Sequence, residues 1–142
     1  MRFWDSSALI PLVVEEERSR ACRSLRRANS SIAVWALTRT ELTSAVQRLA
    51  REGLLRRDDV KVALRRVRLL EQRWTEVEAW QAVRDRADRA LGSHPLTAAD
   101  ALQLAAALVL ANERPRGRVF VTADKRLSQA ASAEGFDVVV PQ

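Results

Sequence analysis

The chain has 142 residues, 47% of them hydrophobic and 30% charged, which is a composition that can bury a core and is not that of a disordered segment. The length predicts one domain over residues 1–142. There are 24 Lys plus Arg against 18 Asp plus Glu, a formal net charge of +6, and no apolar run approaches the roughly 20 residues that span a bilayer, which excludes a membrane span.

In chain order, Arg2-Phe3-Trp4 predicts a short strand ending at Asp5, and Ser6-Ser7 opens an apolar helix through Ala8, Leu9, Ile10, Leu12 and Val13. A second helix is expected from about Arg18 to Ala28, broken at Asn29-Ser30, with a strand at Ile32–Trp35. Thr38 starts a helix whose apolar positions Leu42, Ala45, Val46 and Leu49 follow the helical period and which stops at Glu52-Gly53. The next helix begins near Arg57-Asp58-Asp59 and carries Val60, Leu64, Val67 and Leu70, so the two form a helical hairpin. Trp74–Val77 reads as a strand, Trp80 to Leu91 as a helix ended by Gly92, and Ser93–Leu96 as a loop. Thr97 opens a helix that is apolar nearly all round, the signature of a central element. Pro115 and Gly117 mark a turn, Val119–Val121 a strand, Lys125–Glu134 a helix capped by Gly135, and Val138–Val140 the last strand. Short strands separated by helices predict an α/β fold with a parallel sheet and helices on both faces.

Four carboxylates sit at helix starts in this scheme. Asp5 follows the first strand, Glu41 lies in the first turn after the second, Asp100 in the first turn of the central helix, and Asp124 just after Val119–Val121. In an open parallel sheet the carboxyl ends of the strands share one edge, where ligands bind, so these acids are expected to converge there. Close carboxylates repel unless a cation neutralises them, and hard oxygen donors select Mg²⁺, or Mn²⁺ in its place. Such an ion can activate water and stabilise the leaving oxygen of a phosphodiester. The competing explanation is purely structural. Thr38-x-x-Glu41 and Thr97-x-x-Asp100 resemble capping boxes, and Asp5 and Asp124 are both suited to an N-cap.

The residues around the acids add a resemblance. Asp5-Ser6-Ser7-Ala8-Leu9, Thr40-Glu41-Leu42-Thr43-Ser44-Ala45, Ala99-Asp100-Ala101-Leu102-Gln103-Leu104-Ala105-Ala106-Ala107 and Val121-Thr122-Ala123-Asp124-Lys125-Arg126-Leu127, in this order and over nearly the whole chain, resemble the four motifs of PIN-domain nucleases. The length and the D-S-S-A-L opening are most similar to the VapC-like toxins of type II toxin–antitoxin systems. The resemblance implies a three-layer α/β/α sandwich, a Mg²⁺-dependent endoribonuclease acting on an RNA substrate, a homodimer, and a cognate antitoxin that occludes the acidic site. It implies Asp5, Glu41, Asp100 and Asp124 as the catalytic, metal-binding set, with Asp5 and Asp100 as direct ligands and Glu41 and Asp124 on a second ion or acting through water. Ser6 and Thr122 become polar supports. Many relatives carry His where this chain has Gln103, a position outside the acid set.

Other residues carry less chemistry. His94 has no second His or Cys to complete a zinc site and reads as an exposed loop residue. Cys22, the only cysteine, is expected in the core and agrees with a reducing, cytoplasmic setting; no signal-peptide pattern is read at the N-terminus. Trp35, Trp74 and Trp80 read as core or interface residues. No phosphate-cradling glycine motif and no G-x-S-x-G elbow is present. Between Arg48 and Arg73 there are nine basic and four acidic residues, either a surface that guides RNA beside the acids or an ordinary solvated helix face. The alternatives to a ribonuclease are a non-catalytic RNA-binding protein on the same scaffold and a DNA-directed structure-specific nuclease, whose helical arch would need insertions that this length hardly allows.

Overall fold

The computed structural model describes residues 1–142. The elements follow the order β1 (Arg2–Trp4), α1 (Ser6–Val13), α2 (Ser19–Ala28), β2 (Ile32–Trp35), α3 (Thr38–Arg51), α4 (Arg57–Glu71), β3 (Thr75–Val77), α5 (Trp80–Ser93), α6 (Ala98–Leu110), β4 (Val119–Val121), α7 (Lys125–Glu134) and β5 (Asp137–Val139). All five strands are parallel, in the order β3-β2-β1-β4-β5.

Strand alternation explains why the sheet is covered twice. Along β2, Ala33 and Trp35 join a core with Phe3, Phe120 and residues of α5, α6 and α7, whereas Ile32 and Val34 join a second core with Trp4, Val121 and residues of α1 to α4. Successive side chains point to opposite faces, so a strand of uninterrupted apolar residues needs helices on both sides. The result is the α/β/α sandwich that the resemblance implied. At the centre of one layer lies α6, with Ala101 and every residue from Gln103 to Leu108 buried. Its near-continuous apolar sequence is the local cause of that position.

The chain leaves β1 towards β2 and β3 on one side and returns to β4 and β5 on the other. The sheet's switch point therefore lies between β1 and β4, where Trp4 pairs with Val121 and Asp5 N donates to Val121 O at 3.0 Å. A crevice opens outside the carboxyl ends of strands at such a point. Asp5, Thr122 and Asp124 are placed beside it by chain order alone.

Local details depart from the sequence-based reading. The strand expected at Trp74–Val77 starts at Thr75, and the last strand lies one residue earlier than expected. Gly92 is helical, and α5 runs on to Ser93. Gly135 does cap α7, at φ +110, where a Cβ would meet Pro115 Cγ at 3.3 Å. The hairpin of α3 and α4 forms as expected. Trp35 and Trp74 are buried, but Trp80 is 49% exposed and packs edge-on to Trp35, with ring centroids 4.9 Å apart.

Candidate functional site

Asp5 is 2% exposed, at the junction of β1 and α1. Its Oδ1 accepts from Ser7 N at 2.7 Å, the N-cap bond that starts α1. Its Oδ2 accepts from Ser7 Oγ at 2.7 Å and also from Thr122 Oγ1. Both hydroxyls are placed to donate to this oxygen, and they also lie 3.3 Å from each other. Thr122 Oγ1 in turn accepts from Asp124 N at 3.0 Å, and Ser7 Oγ from Ala123 N at 2.9 Å. The loop after β4 is thereby laced to the start of α1.

Glu41 is held from two other elements. Ser6 Oγ donates to Oε2 at 3.1 Å and Gln103 Nε2 donates to Oε1 at 2.8 Å. Gln103 also donates to Thr38 Oγ1 at 3.2 Å, and its own carbonyl oxygen is buried without a partner. Asp124 caps α7, with Leu127 N donating to Oδ1 at 2.8 Å and Oδ2 left free of hydrogen bonds. Asp100 starts α6, where Thr97 Oγ1 accepts from its backbone N at 3.2 Å and no donor from another element reaches its carboxylate.

The capping explanation thus holds for two acids and fails for Glu41 and Asp100, although both lie in a helix's first turn, where the helix dipole favours an acid. Asp5 and Asp124 are N-caps. Thr38 is inside α3 and makes no capping box, so Glu41 spends its oxygens on Ser6 and Gln103. Thr97 caps α6, but Asp100 does not reach back to it as a capping box requires.

The four acids feel one another. Burial pushes Asp5 up to about 6 against the pull of Thr122 and Ser7, with the charge of Asp100 adding to the rise. Glu41 is raised by burial, opposed by Gln103 and Ser6 and assisted by Asp100. Asp100 is raised by burial and then by Asp124, against Thr97. Asp100 links the set: it opposes ionisation of Asp5 and Glu41 and is itself opposed by Asp124. No Lys or Arg forms an ion pair with any of the four, although the chain is rich in Arg. Uncompensated, partly buried carboxylates of this kind fit a divalent cation by donor chemistry. Their oxygens do not form a closed cage, since no three His, Cys, Asp or Glu side chains stand together as a ready ligand group. Nor do they line any of the main surface concavities. Mg²⁺ keeps several of its waters and takes few protein ligands, so an open edge suits it better than a cage.

All four predicted acids and both supports, Ser6 and Thr122, lie on this edge. Sequence reasoning missed Ser7 and Gln103. Ser7 was legible as the second residue after an N-cap aspartate, whereas Gln103 stood out only as the position where many relatives carry His, outside the acid set. His94 was misread: its side chain is only 13% exposed, and its Nε2 lies 2.9 Å from Glu134 Oε1, while Arg86 Nη2 approaches Glu134 Oε2 at 3.3 Å and Arg86 Nε donates to Glu113 Oε1 at 2.9 Å. Arg86 is buried, and this network ties α5 to α7 and to the turn after α6.

A family model described as PIN domain matches residues 2–133. No curated protein matches the chain. Among solved structures, the fold resembles a toxin–antitoxin complex from Klebsiella pneumoniae (TM-score 0.69, 17% identity, covering 100% of this chain and 98% of that one). It also resembles FitAcB from Neisseria gonorrhoeae (0.65, 17%, 100% and 97%) and PAE2754 from Pyrobaculum aerophilum (0.61, 22%, 98% and 87%). At these identities the likeness is one of fold.

Proposed function

This chain belongs to the PIN-domain family, and on that premise we propose that it is a Mg²⁺-dependent endoribonuclease, the toxin of a toxin–antitoxin pair. The observation that carries the reading is the acid edge itself: Asp5, Glu41, Asp100 and Asp124 come from four separate elements, influence one another's ionisation, and have no basic partner. When bound there, Mg²⁺ or Mn²⁺ supplies charge neutralisation and a more acidic water for attack on phosphorus.

The protein's part is positioning. Asp5, fixed by three donors, and Asp100, whose carboxylate no other element occupies, are the residues we assign to direct metal binding. Glu41 is aimed by Ser6 and Gln103, and Asp124 offers its free Oδ2; both serve a second ion or orient water. The toxin reading draws on the fold likeness to a toxin–antitoxin complex, with an antitoxin covering the acid edge and a homodimer as the assembled form.

The test is cleavage of total RNA by the purified protein with Mg²⁺, with EDTA, and in the variants Asp5→Asn and Asp100→Asn. Cutting that requires the ion and both aspartates is expected. Undiminished cutting in EDTA or in either variant would overturn the reading. Cutting of DNA but not RNA would overturn the substrate assignment. Co-purification with the product of a short neighbouring gene tests the antitoxin.

A further inference from the structure

A group of arginines lines two concavities that contain none of the four acids. Because all strands are parallel, their starts share the edge opposite the one that carries Asp5 and Thr122. The last turn of α2 precedes the start of β2, the last turn of α4 precedes the start of β3, and Arg2 Nη1 at the start of β1 donates to Leu25 O in α2 at 3.2 Å. Two concavities meet at this far edge. One, of about 410 Å³, is lined by Leu12, Arg26, Arg66, Leu69, Leu70 and Arg73; the other, of about 280 Å³, by Arg23, Arg26, Arg27 and Ser30. Arg26 belongs to both, and no acidic residue lines either.

The arginines are mostly unspent. Arg26 and Arg73 form no ion pair, Arg27 touches only Ser24 Oγ at 3.4 Å, and Arg66 donates to the carbonyl of Val13 at 3.4 Å; only Arg23 is engaged by a carboxylate, that of exposed Glu15. Along α2, Arg20, Arg23 and Arg27 recur at helical spacing on an exposed face, about 5 Å apart along the axis. Every cation here is a guanidinium, which grips phosphate oxygens bidentately and stacks on bases.

We infer that the groove between α2 and α4 binds the phosphate backbone of a nucleic acid at a point remote from the acid edge. The inference rests on the reading of the chain as a nuclease, and it narrows the substrate: the RNA must be long or folded enough to lie on the arginine groove while another part of it reaches Asp5 and Asp100. A short single strand can occupy the acid edge alone. Of the basic segment Arg48–Arg73, Arg66 and Arg73 line this far groove.

The test uses Arg26→Ala/Arg73→Ala in the full chain. In an Asp5→Asn background, which removes turnover, binding of a labelled stem–loop RNA is measured over a range of salt. The plot of log affinity against log salt is expected to flatten by about 1.4 to 1.8, because each neutralised phosphate adds roughly 0.7–0.9 to the slope and the variant frees two. The paired Lys variants, which keep the charges, are expected to retain the parental slope and show that the change is not misfolding. In the active protein, the Ala pair is expected to raise KM for the stem–loop and leave cleavage of a short oligonucleotide unchanged. An unaltered slope and affinity in the Ala pair overturns the inference, as does preferential binding of polyglutamate over RNA by the parent groove. A flattened slope in a protein that cuts no RNA upholds the groove and separates its fate from that of the nuclease reading.

Discussion

Gln103 and Glu41 are 62 residues apart in sequence, and the amide of one donates to the carboxylate of the other at 2.8 Å. Gln103 is fully buried in α6 and Glu41 is half-buried at the start of α3, so the bond fixes the central helix against the acid edge. A buried amide in an otherwise apolar helix is costly unless it is used, and here its NH₂ group serves Glu41 and Thr38.

Replacing Gln103 with Leu keeps the volume close and removes the donor. A hydrogen bond to a charged group contributes about 1.5–3 kcal/mol, so cleavage is expected to fall roughly ten- to hundred-fold. The loss should appear in kcat with KM for RNA little changed, because Gln103 does not reach solvent. A loss confined to KM would show that Gln103 does not act through Glu41.

Asp5 has a pH signature. Its carboxyl titrates near 3.8 when unfolded and at about 6 when folded, because burial disfavours the charge. Between those values the folded state holds the proton more tightly, so the Asp5 contribution to stability is highest below about pH 4, declines as pH rises to about 6, and is flat above. The cost of ionising Asp5 in the fold is on the order of 3 kcal/mol. In chelator at pH 8, Asp5→Asn is therefore expected to be at least as stable as the parent, while inactive. Denaturant melts at pH 4 and pH 8 check this; an Asn variant markedly weaker at pH 8 would contradict it.

Divalent ions should reverse that penalty. A ligand that binds only the native state at about a hundred times its Kd stabilises it by about 2.7 kcal/mol. Thermal melts with Mg²⁺ or Mn²⁺ are expected to exceed those in EDTA at pH 8, and to do so less at pH 5, where protons compete for Asp5. Asp100→Asn should lose most of the effect. An equal shift in that variant would place the ion elsewhere.

Thr122 connects both sides of the switch point, donating to Asp5 and accepting from Asp124 N. Thr122→Val preserves shape, leaves that backbone N–H short of its acceptor, and is expected to cost about 1–3 kcal/mol of stability. It should also lower activity by loosening Asp5, whereas Thr97→Val, at an exposed cap, should cost about 1 kcal/mol or less of stability. Matched unfolding curves and single-turnover cleavage of the two variants make the comparison.

What could be read without coordinates was whatever neighbouring residues decide among themselves. The bounds of α7, the stop at Gly53, the central place of α6 and the two-sided burial of β2 follow from periodicity, end signals and unbroken apolar runs. The four acids were legible too, because each falls at a strand end or a helix start and parallel strands send those ends to one edge. What the chain order could not disclose was which side chains meet across it. The strand order β3-β2-β1-β4-β5 brings Thr122 to Asp5 over 117 residues, α6 brings Gln103 to Glu41, and α5 brings His94 to Glu134 instead of leaving it in solvent. The arginines of α2 and α4 likewise become one groove only when both helices end at the same edge. Hydrogen bonds and charge interactions act over a few ångströms in space, whereas sequence patterns act over a few residues, and only the packed sheet converts one distance into the other.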